Sequence, residues 1–105
     1  SVTAILDLEE AFVGPCAFDL MMAFVGFGWN EDGPLTDRWN ALLEGYESIR
    51  PLTQNERAAL PALHRYATLS IAAWRYWKHV MTQPDEALKM RYLEMAHRLD
   101  QQIDF

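Results

Sequence analysis

The sequence predicts a mainly α-helical chain, with one short N-terminal β-strand followed by about four helices. Apolar residues recur at helical spacing along most of the chain, and prolines and polar clusters separate the periodic segments. Only residues 2–6, Val-Thr-Ala-Ile-Leu, form a short apolar run of the β-prone kind. A length of 105 residues predicts one modest core, so we treat residues 1–105 as a single unit.

The strand predicted at residues 2–6 requires a partner, because its backbone donors and acceptors must be hydrogen-bonded. No second clear β-prone run follows it. The partner is therefore expected either upstream in a longer polypeptide or in a second copy of the chain. A homodimer through this strand or through exposed apolar helices is one of the interpretations left open.

The first predicted helix covers residues 16–25 and follows the break at Gly14-Pro15. Its apolar residues occur nearly all round, which predicts the most buried helix of the chain. Asp19 is its only charge, and Cys16 is expected to be a small buried hydrophobe. The cluster Asn30-Glu31-Asp32-Gly33-Pro34 is typical of a turn.

Three further helices are predicted downstream. One covers residues 36–48, with its first residue, a threonine, as the N-cap. The capping box Thr53-Gln54-Asn55-Glu56 begins the next. Pro61 should split or kink that segment and leave a long helix up to about Met81, because proline removes a donor from the helix interior. Pro84 is predicted to open the last helix.

Charge and cysteine content exclude several classes of function. The formal net charge of -6 argues against nucleic acid and anionic membrane surfaces as partners, since both attract basic proteins. The single cysteine excludes an internal disulfide and a multi-cysteine zinc site, and favours a cytoplasmic location. Residues 1–7 do not resemble a signal peptide, and the apolar stretch at residues 20–29 is too short to span a bilayer.

Acidic residues follow the predicted strand at once. Asp7 ends the apolar run, and Glu9 and Glu10 come directly after it. A hard carboxylate oxygen on a rigid support, open on one side, suits Mg²⁺. From the residues alone, a solvated acidic turn is the favoured interpretation of these carboxylates.

The segment from residue 4 to residue 20 resembles the magnesium-binding strand and following helix of the aminoglycoside phosphotransferase and choline kinase superfamily. It departs from the family pattern at Leu8, usually an aromatic, and at Met21-Met22, where a small residue is common. The matching positions are Ile5, Asp7, Ala11, Gly14, Pro15, Asp19 and Leu20.

The middle of the chain resembles the C-terminal helices of bacterial homoserine kinases of that superfamily. The matching segments are Leu42-Leu43-Glu44-Gly45-Tyr46, Arg50-Pro51-Leu52, and Glu56 with Ala59-Leu60-Pro61. The resemblance implies part of a protein-kinase-like C-terminal lobe. It also implies an enzyme that transfers the γ-phosphate of ATP to a hydroxyl group of a small molecule.

The resemblance assigns roles to two carboxylates. Asp7 would be a ligand of the Mg²⁺ that bridges the ATP phosphates. Asp19 would accept backbone N–H bonds from the catalytic loop, a structural role. The His-Gly-Asp loop with the catalytic base, the Gly-rich loop and the phosphate-binding lysine do not occur in this sequence. We therefore expect no catalytic residue here, no tight binding of ATP or Mg²⁺, and no kinase activity from this chain alone.

Two clusters on the long predicted helix have alternative interpretations. Tyr66, Trp74 and Trp77 are candidates for a substrate pocket that holds an ammonium group by cation–π contact, as choline kinases do; core packing is the alternative. Arg75 and Lys78 lie three residues apart on this helix, a spacing that would let both face an anion, but solvated surface charge is the favoured interpretation. The second overall hypothesis is a stand-alone helical interaction or dimerisation module without catalysis.

Overall fold

The computed structural model describes residues 1–8 and 13–105, and over these residues the mainly α fold class is confirmed. Four α-helices, one π-helical segment and one short hairpin make up its regular structure in the described ranges. In chain order they are α1 (Cys16–Phe27), β1 (Trp29–Asn30), β2 (Gly33–Pro34), α2 (Thr36–Glu47), α3 (Gln54–Tyr76), the π-helical segment Trp77–Thr82 and α4 (Arg91–Arg98). None of these helices is long and apolar enough to cross a membrane.

Residues 2–6 do not form the predicted strand. They have no regular secondary structure and are exposed, with Ile5 at 71% and Leu6 at 84%. No described strand pairs with them, so their backbone groups gain nothing from extended pairing. The sheet of this fold is the antiparallel hairpin of β1 and β2, with Trp29 opposite Pro34. It lies where the sequence predicts only a turn.

Helix α1 is the most buried helix of the described chain, as predicted. It begins after Pro15, whose carbonyl accepts a bond from the Phe18 N–H at 3.1 Å. Its buried side chains are Ala17, Phe18, Leu20, Met21, Phe24 and Val25. The expectation for Cys16 is wrong: its side chain is exposed, because the first residue of the helix lies outside the packed face.

Helix α2 packs on α1 through Trp39, whose ring meets Phe24 edge-on at 5.3 Å between centroids. The predicted cap at Thr36 is wrong. The helix already includes Thr36, and its N-cap is Leu35, which provides no side-chain hydrogen bond. Asp37 lies in the first turn, where its charge complements the helix dipole.

Helix α3 is the central element, since it packs against both α1 and α4. The predicted capping box is confirmed: the Glu56 N–H donates to Thr53 Oγ1 at 3.1 Å, and the Thr53 N–H donates to Glu56 Oε1 at 2.9 Å. Pro61 does not split the helix, which continues to Tyr76. Burial of Leu60 and His64 on either side holds this stretch against the rest of the core.

The final helix begins later than predicted. Residues 86–90 form turns, and α4 starts at Arg91 rather than near Pro84. The Asp85 carboxylate accepts a bond from the Ala87 N–H at 2.8 Å, a local turn that competes with helix formation. Beyond α4 the chain returns to the core, where Phe105 packs on α1 and α2.

Candidate functional site

Asp7 lies in the exposed N-terminal segment and has a left-handed backbone, with φ of 65°. It is the only residue other than glycine with positive φ in the described ranges. Aspartate tolerates this region better than most residues, and such positions often occur at functional sites. Glu9 and Glu10, and the matching position Ala11, lie outside the described residues.

No metal cluster accompanies Asp7 in residues 1–8 and 13–105. No group there of three or more His, Cys, Asp or Glu side chains is arranged to hold an ion. A single carboxylate supplies one or two of the six oxygens that Mg²⁺ requires. The predicted role of Asp7 therefore needs further ligands from a nucleotide or from other residues.

Asp19 lies on the exposed side of α1. It borders a groove of about 380 Å³ between α1 and α2, together with Leu20, Leu42 and Tyr46. Its carboxylate accepts no hydrogen bond from the described residues. The predicted backbone donors are not among the described residues, and that role stays a prediction.

The three aromatic residues proposed for a substrate pocket are about half exposed. Tyr66 is 61%, Trp74 47% and Trp77 50% exposed. The Tyr66 ring meets Phe18 edge-on, and the Trp74 ring meets His79. None of the three lines this groove or the larger cleft between α1, the hairpin, α3 and α4. Their part in substrate binding stays a prediction.

A larger cleft, of about 790 Å³, opens between the end of α1, the hairpin, α3 and α4. Sequence reasoning did not find it. Its charged lining consists of Arg75 from α3, Arg91, Glu94 and Arg98 from α4, and Glu31 and Asp32 from the hairpin turn. We call Arg75, Arg91 and Arg98 the arginine wall. It is notable on a chain with a net charge of -6.

The arginine wall shares a single close carboxylate. Glu94 lies 3.6 Å from Arg75 Nη1, and 4.0 Å from both Arg91 Nε and Arg98 Nη2. All three distances exceed that of a good charge-assisted hydrogen bond. Arg75 and Arg98 are instead tethered by backbone carbonyls: Arg75 Nη1 donates to Arg91 O at 3.1 Å, and Arg98 Nη1 to Val25 O at 2.9 Å.

Trp29 contributes an aromatic ring to the lining of the cleft. The Arg98 guanidinium lies 4.6 Å from the centre of the Trp29 ring, a cation–π contact. The ring of His64 also stacks on Trp29, with 5.8 Å between the ring centroids and an interplanar angle of 14°. Trp29 Nε1 and His64 Nε2 are buried without a hydrogen-bond partner among the described residues.

Burial shifts the pKa values of Arg75, Arg98 and His64. It lowers the pKa of the Arg75 and Arg98 guanidiniums, and a neighbouring arginine lowers each further, while Glu94 acts in the opposite sense. Burial, with smaller contributions from Arg98 and Arg65, lowers the pKa of His64 to about 4. His64 is therefore neutral at pH 7.

The sequence contains one signal for this cleft. Arg91, Glu94 and Arg98 stand at i, i+3 and i+7, which places them on one side of a helix. That spacing is also usual for a solvated surface, and nothing in it indicates that Arg75 lies alongside. Only the packing of α3 on α4 places Arg75 beside these three charges, and it leaves the Arg75 side chain 14% exposed.

The chain is similar over most of its length to curated proteins named homoserine kinase. It is 33% identical over 101 residues to that of Rhizobium etli, covering 93% of this chain and 31% of the relative. It is 30% identical over 100 residues to that of Granulibacter bethesdensis, covering 93% and 31%. For Gluconacetobacter diazotrophicus the identity is 35% over 83 residues, covering 78% and 26%.

The chain thus spans about a third or less of the length of these relatives. No protein-family model matches it. No solved structure matches it either. The similarity is therefore to part of a homoserine kinase.

Proposed function

We propose that this chain is part of the C-terminal lobe of an ATP-dependent small-molecule kinase, of the homoserine kinase type within the aminoglycoside phosphotransferase and choline kinase superfamily. Such an enzyme transfers the γ-phosphate of ATP to a hydroxyl group, and we expect it in the cytoplasm. The observation that carries the proposal is the similarity to homoserine kinases along most of the chain.

Asp7 is the residue of this chain that we propose for Mg²⁺. An exposed carboxylate on a left-handed backbone fits one position in a magnesium coordination shell, although not a complete site. Mg²⁺ bound with ATP neutralises the charge that develops on the phosphates during transfer. Asp7 would hold and orient that ion from one side.

The remaining machinery is proposed to lie in other parts of the kinase. The catalytic base and the glycine-rich loop are not in this sequence, and phosphoryl transfer depends on all of these groups acting together. The exposed Asp19 carboxylate would accept hydrogen bonds from backbone N–H groups of a catalytic loop. We therefore expect the isolated chain to transfer no phosphate from ATP to L-homoserine above a no-protein control.

A chimera tests the proposal. The matching segment of the Rhizobium etli homoserine kinase is replaced by this chain, and ATP-dependent phosphorylation of L-homoserine is measured. We expect an active enzyme, and Asp7→Asn should lower its kcat about a hundredfold or more, the scale of losing one electrostatic stabiliser of a transition state.

Asp100→Asn is the matched control, since Asp100 is an exposed carboxylate near the other end of the chain. It should leave kcat unchanged. A chimera that is folded by circular dichroism yet inactive would count against the kinase proposal. Equal losses in the two variants would remove Asp7 from its proposed role.

A stand-alone dimerisation module is the second candidate, and one specific observation favours it. Large apolar side chains are exposed on the N-terminal segment and on α3, including Leu6 at 84% and Leu69 at 50%. Such surface usually has a partner. Light scattering decides: a stable mass of twice 12.1 kDa supports the dimer, and a monomer of 12.1 kDa leaves this surface for the rest of a kinase.

A further inference from the structure

We infer that the arginine wall is a binding site for the oxyanion group, phosphate or carboxylate, of a small molecule. The site needs only residues of this chain and does not depend on the kinase proposal. Three guanidiniums from two helices line one cleft of about 790 Å³, which is large enough for a small metabolite.

The charges of the wall are incompletely paired. Three positive groups lie around the Glu94 carboxylate, and none approaches it closer than 3.6 Å. Glu31 and Asp32 also line the cleft, but neither lies within 4.0 Å of a basic nitrogen in the described chain. Close to the wall, positive charge therefore exceeds negative charge.

The guanidiniums of the arginine wall also have unused hydrogen-bond donors. Each guanidinium has five N–H groups. In Arg75 and in Arg98, one guanidinium nitrogen donates to a backbone carbonyl. Those two tethers hold the planar groups in place, and the side chains of Arg75 and Arg98 are only 14% and 13% exposed. Fixed guanidiniums with free donors are the groups that bind phosphate and carboxylate in a bidentate manner.

Burial favours the binding of an anion at the arginine wall. Because burial and a neighbouring arginine both lower the pKa of Arg75 and of Arg98, the charged wall is held at a cost that an added anion would relieve. Trp29 adds a second polar group at the cleft, with its buried Nε1 unpaired among the described residues.

Binding is measured by two-dimensional ¹H–¹⁵N NMR on the labelled 105-residue chain, at constant ionic strength. Inorganic phosphate and acetate are the two probes. Saturable shifts of the side-chain Nε–Hε signals of the wall and of the Trp29 indole are expected with at least one of them. Tighter binding of phosphate identifies a phosphate-bearing ligand, and tighter binding of acetate a carboxylate-bearing one.

Two variants with opposite expected effects make the test specific. Arg91→Gln should weaken binding about tenfold, the loss of one charge-assisted hydrogen bond. Glu94→Gln should strengthen it about tenfold, because it removes the competing carboxylate. Arg57→Gln is the matched control and should change nothing: its side chain is 46% exposed, against 48% for Arg91, and it lies away from the cleft.

The outcomes separate a built site from diffuse electrostatics. Equal weakening by Arg91→Gln and Arg57→Gln would mean that the anion responds only to net charge, and the inference would be overturned. Absence of saturable shifts with both probes would overturn it as well. Weaker or unchanged binding in a folded Glu94→Gln variant would show that the wall does not hold the anion.

Discussion

His64 is the residue in which packing most changes a side chain's chemistry. It is 5% exposed, and the rings of Phe24, Trp29 and Phe105 surround it at 5.6 to 5.8 Å. Its Nε2 is buried without a partner among the described residues. Burial among rings, with Arg98 and Arg65 nearby, disfavours the charged imidazolium and lowers the pKa to about 4.

This shift makes stability depend on pH. The folded state holds His64 neutral, whereas the unfolded chain takes up a proton near its ordinary pKa of 6.5. The contribution of neutral His64 to the free energy of unfolding is fully present above pH 6.5 and is lost as the pH falls towards 4. Between pH 6.5 and 5 we expect a loss of about 1.5 kcal/mol in the free energy of unfolding, measured by urea denaturation.

His64→Phe should flatten that dependence, because it removes the group that titrates. His97→Gln is the control, since His97 belongs to the rim of the cleft, and it should keep the wild-type slope. An unchanged slope in a folded His64→Phe variant would assign the acid sensitivity to other groups.

Helix α3 is the element on which the others assemble, and Pro61 is its irregular position. Proline at this site has no N–H to donate to the carbonyl of Arg57 one turn earlier. The helix nevertheless continues, with a reciprocal capping box at its start and buried residues on both sides of the proline. Tertiary packing therefore outweighs local propensity here.

Pro61→Ala should increase stability. Alanine restores one helical hydrogen bond at an exposed position, and the greater freedom of the unfolded chain offsets part of the gain. The net expectation is a rise of about 1–2 kcal/mol in the free energy of unfolding. Pro51→Ala, outside the helices, should give no such gain. A fall in stability for Pro61→Ala would show that the ring itself packs usefully.

In the molecule as a whole, Phe105 joins the end of the chain to the core formed by α1 and α2. Its ring contacts Trp39 at 4.9 Å and Phe24 at 5.8 Å, so the last residue closes the packing of α1 and α2. Arg98 reinforces this closure by its bond to the carbonyl of Val25. Through Ile103 and Phe105, the segment after α4 thus packs against the core.

Phe105→Ala should lower the free energy of unfolding by about 1–3 kcal/mol, less than for a fully enclosed ring because Phe105 is partly buried. Thermal melting followed by circular dichroism measures the loss. Phe27→Ala removes the same ring from a position 69% exposed and should change stability by about 0.5 kcal/mol or less. Similar effects of the two changes would mean that Phe105 does not anchor the core in solution.

Local features of this protein can be predicted from its amino-acid sequence. The capping box at Thr53 and the burial of α1 follow from short-range patterns, and the structure confirms both. The turn predicted at residues 30–34 is part of a short hairpin, whose strands the sequence did not indicate. The similarity to homoserine kinases also rests on sequence alone. Asp7 and Asp19 are singled out by a motif, and their roles stay predictions.

Features that depend on residues far apart in the sequence follow from the packing of the helices. A strand at residues 2–6 needs a partner that the described chain does not supply, and the continuity of α3 through Pro61 depends on packing. The arginine wall joins Arg75 to Arg91 and Arg98 across two helices, and no periodicity encodes that meeting. Its close carboxylate, its burial and its tethers arise from the contact between α3 and α4.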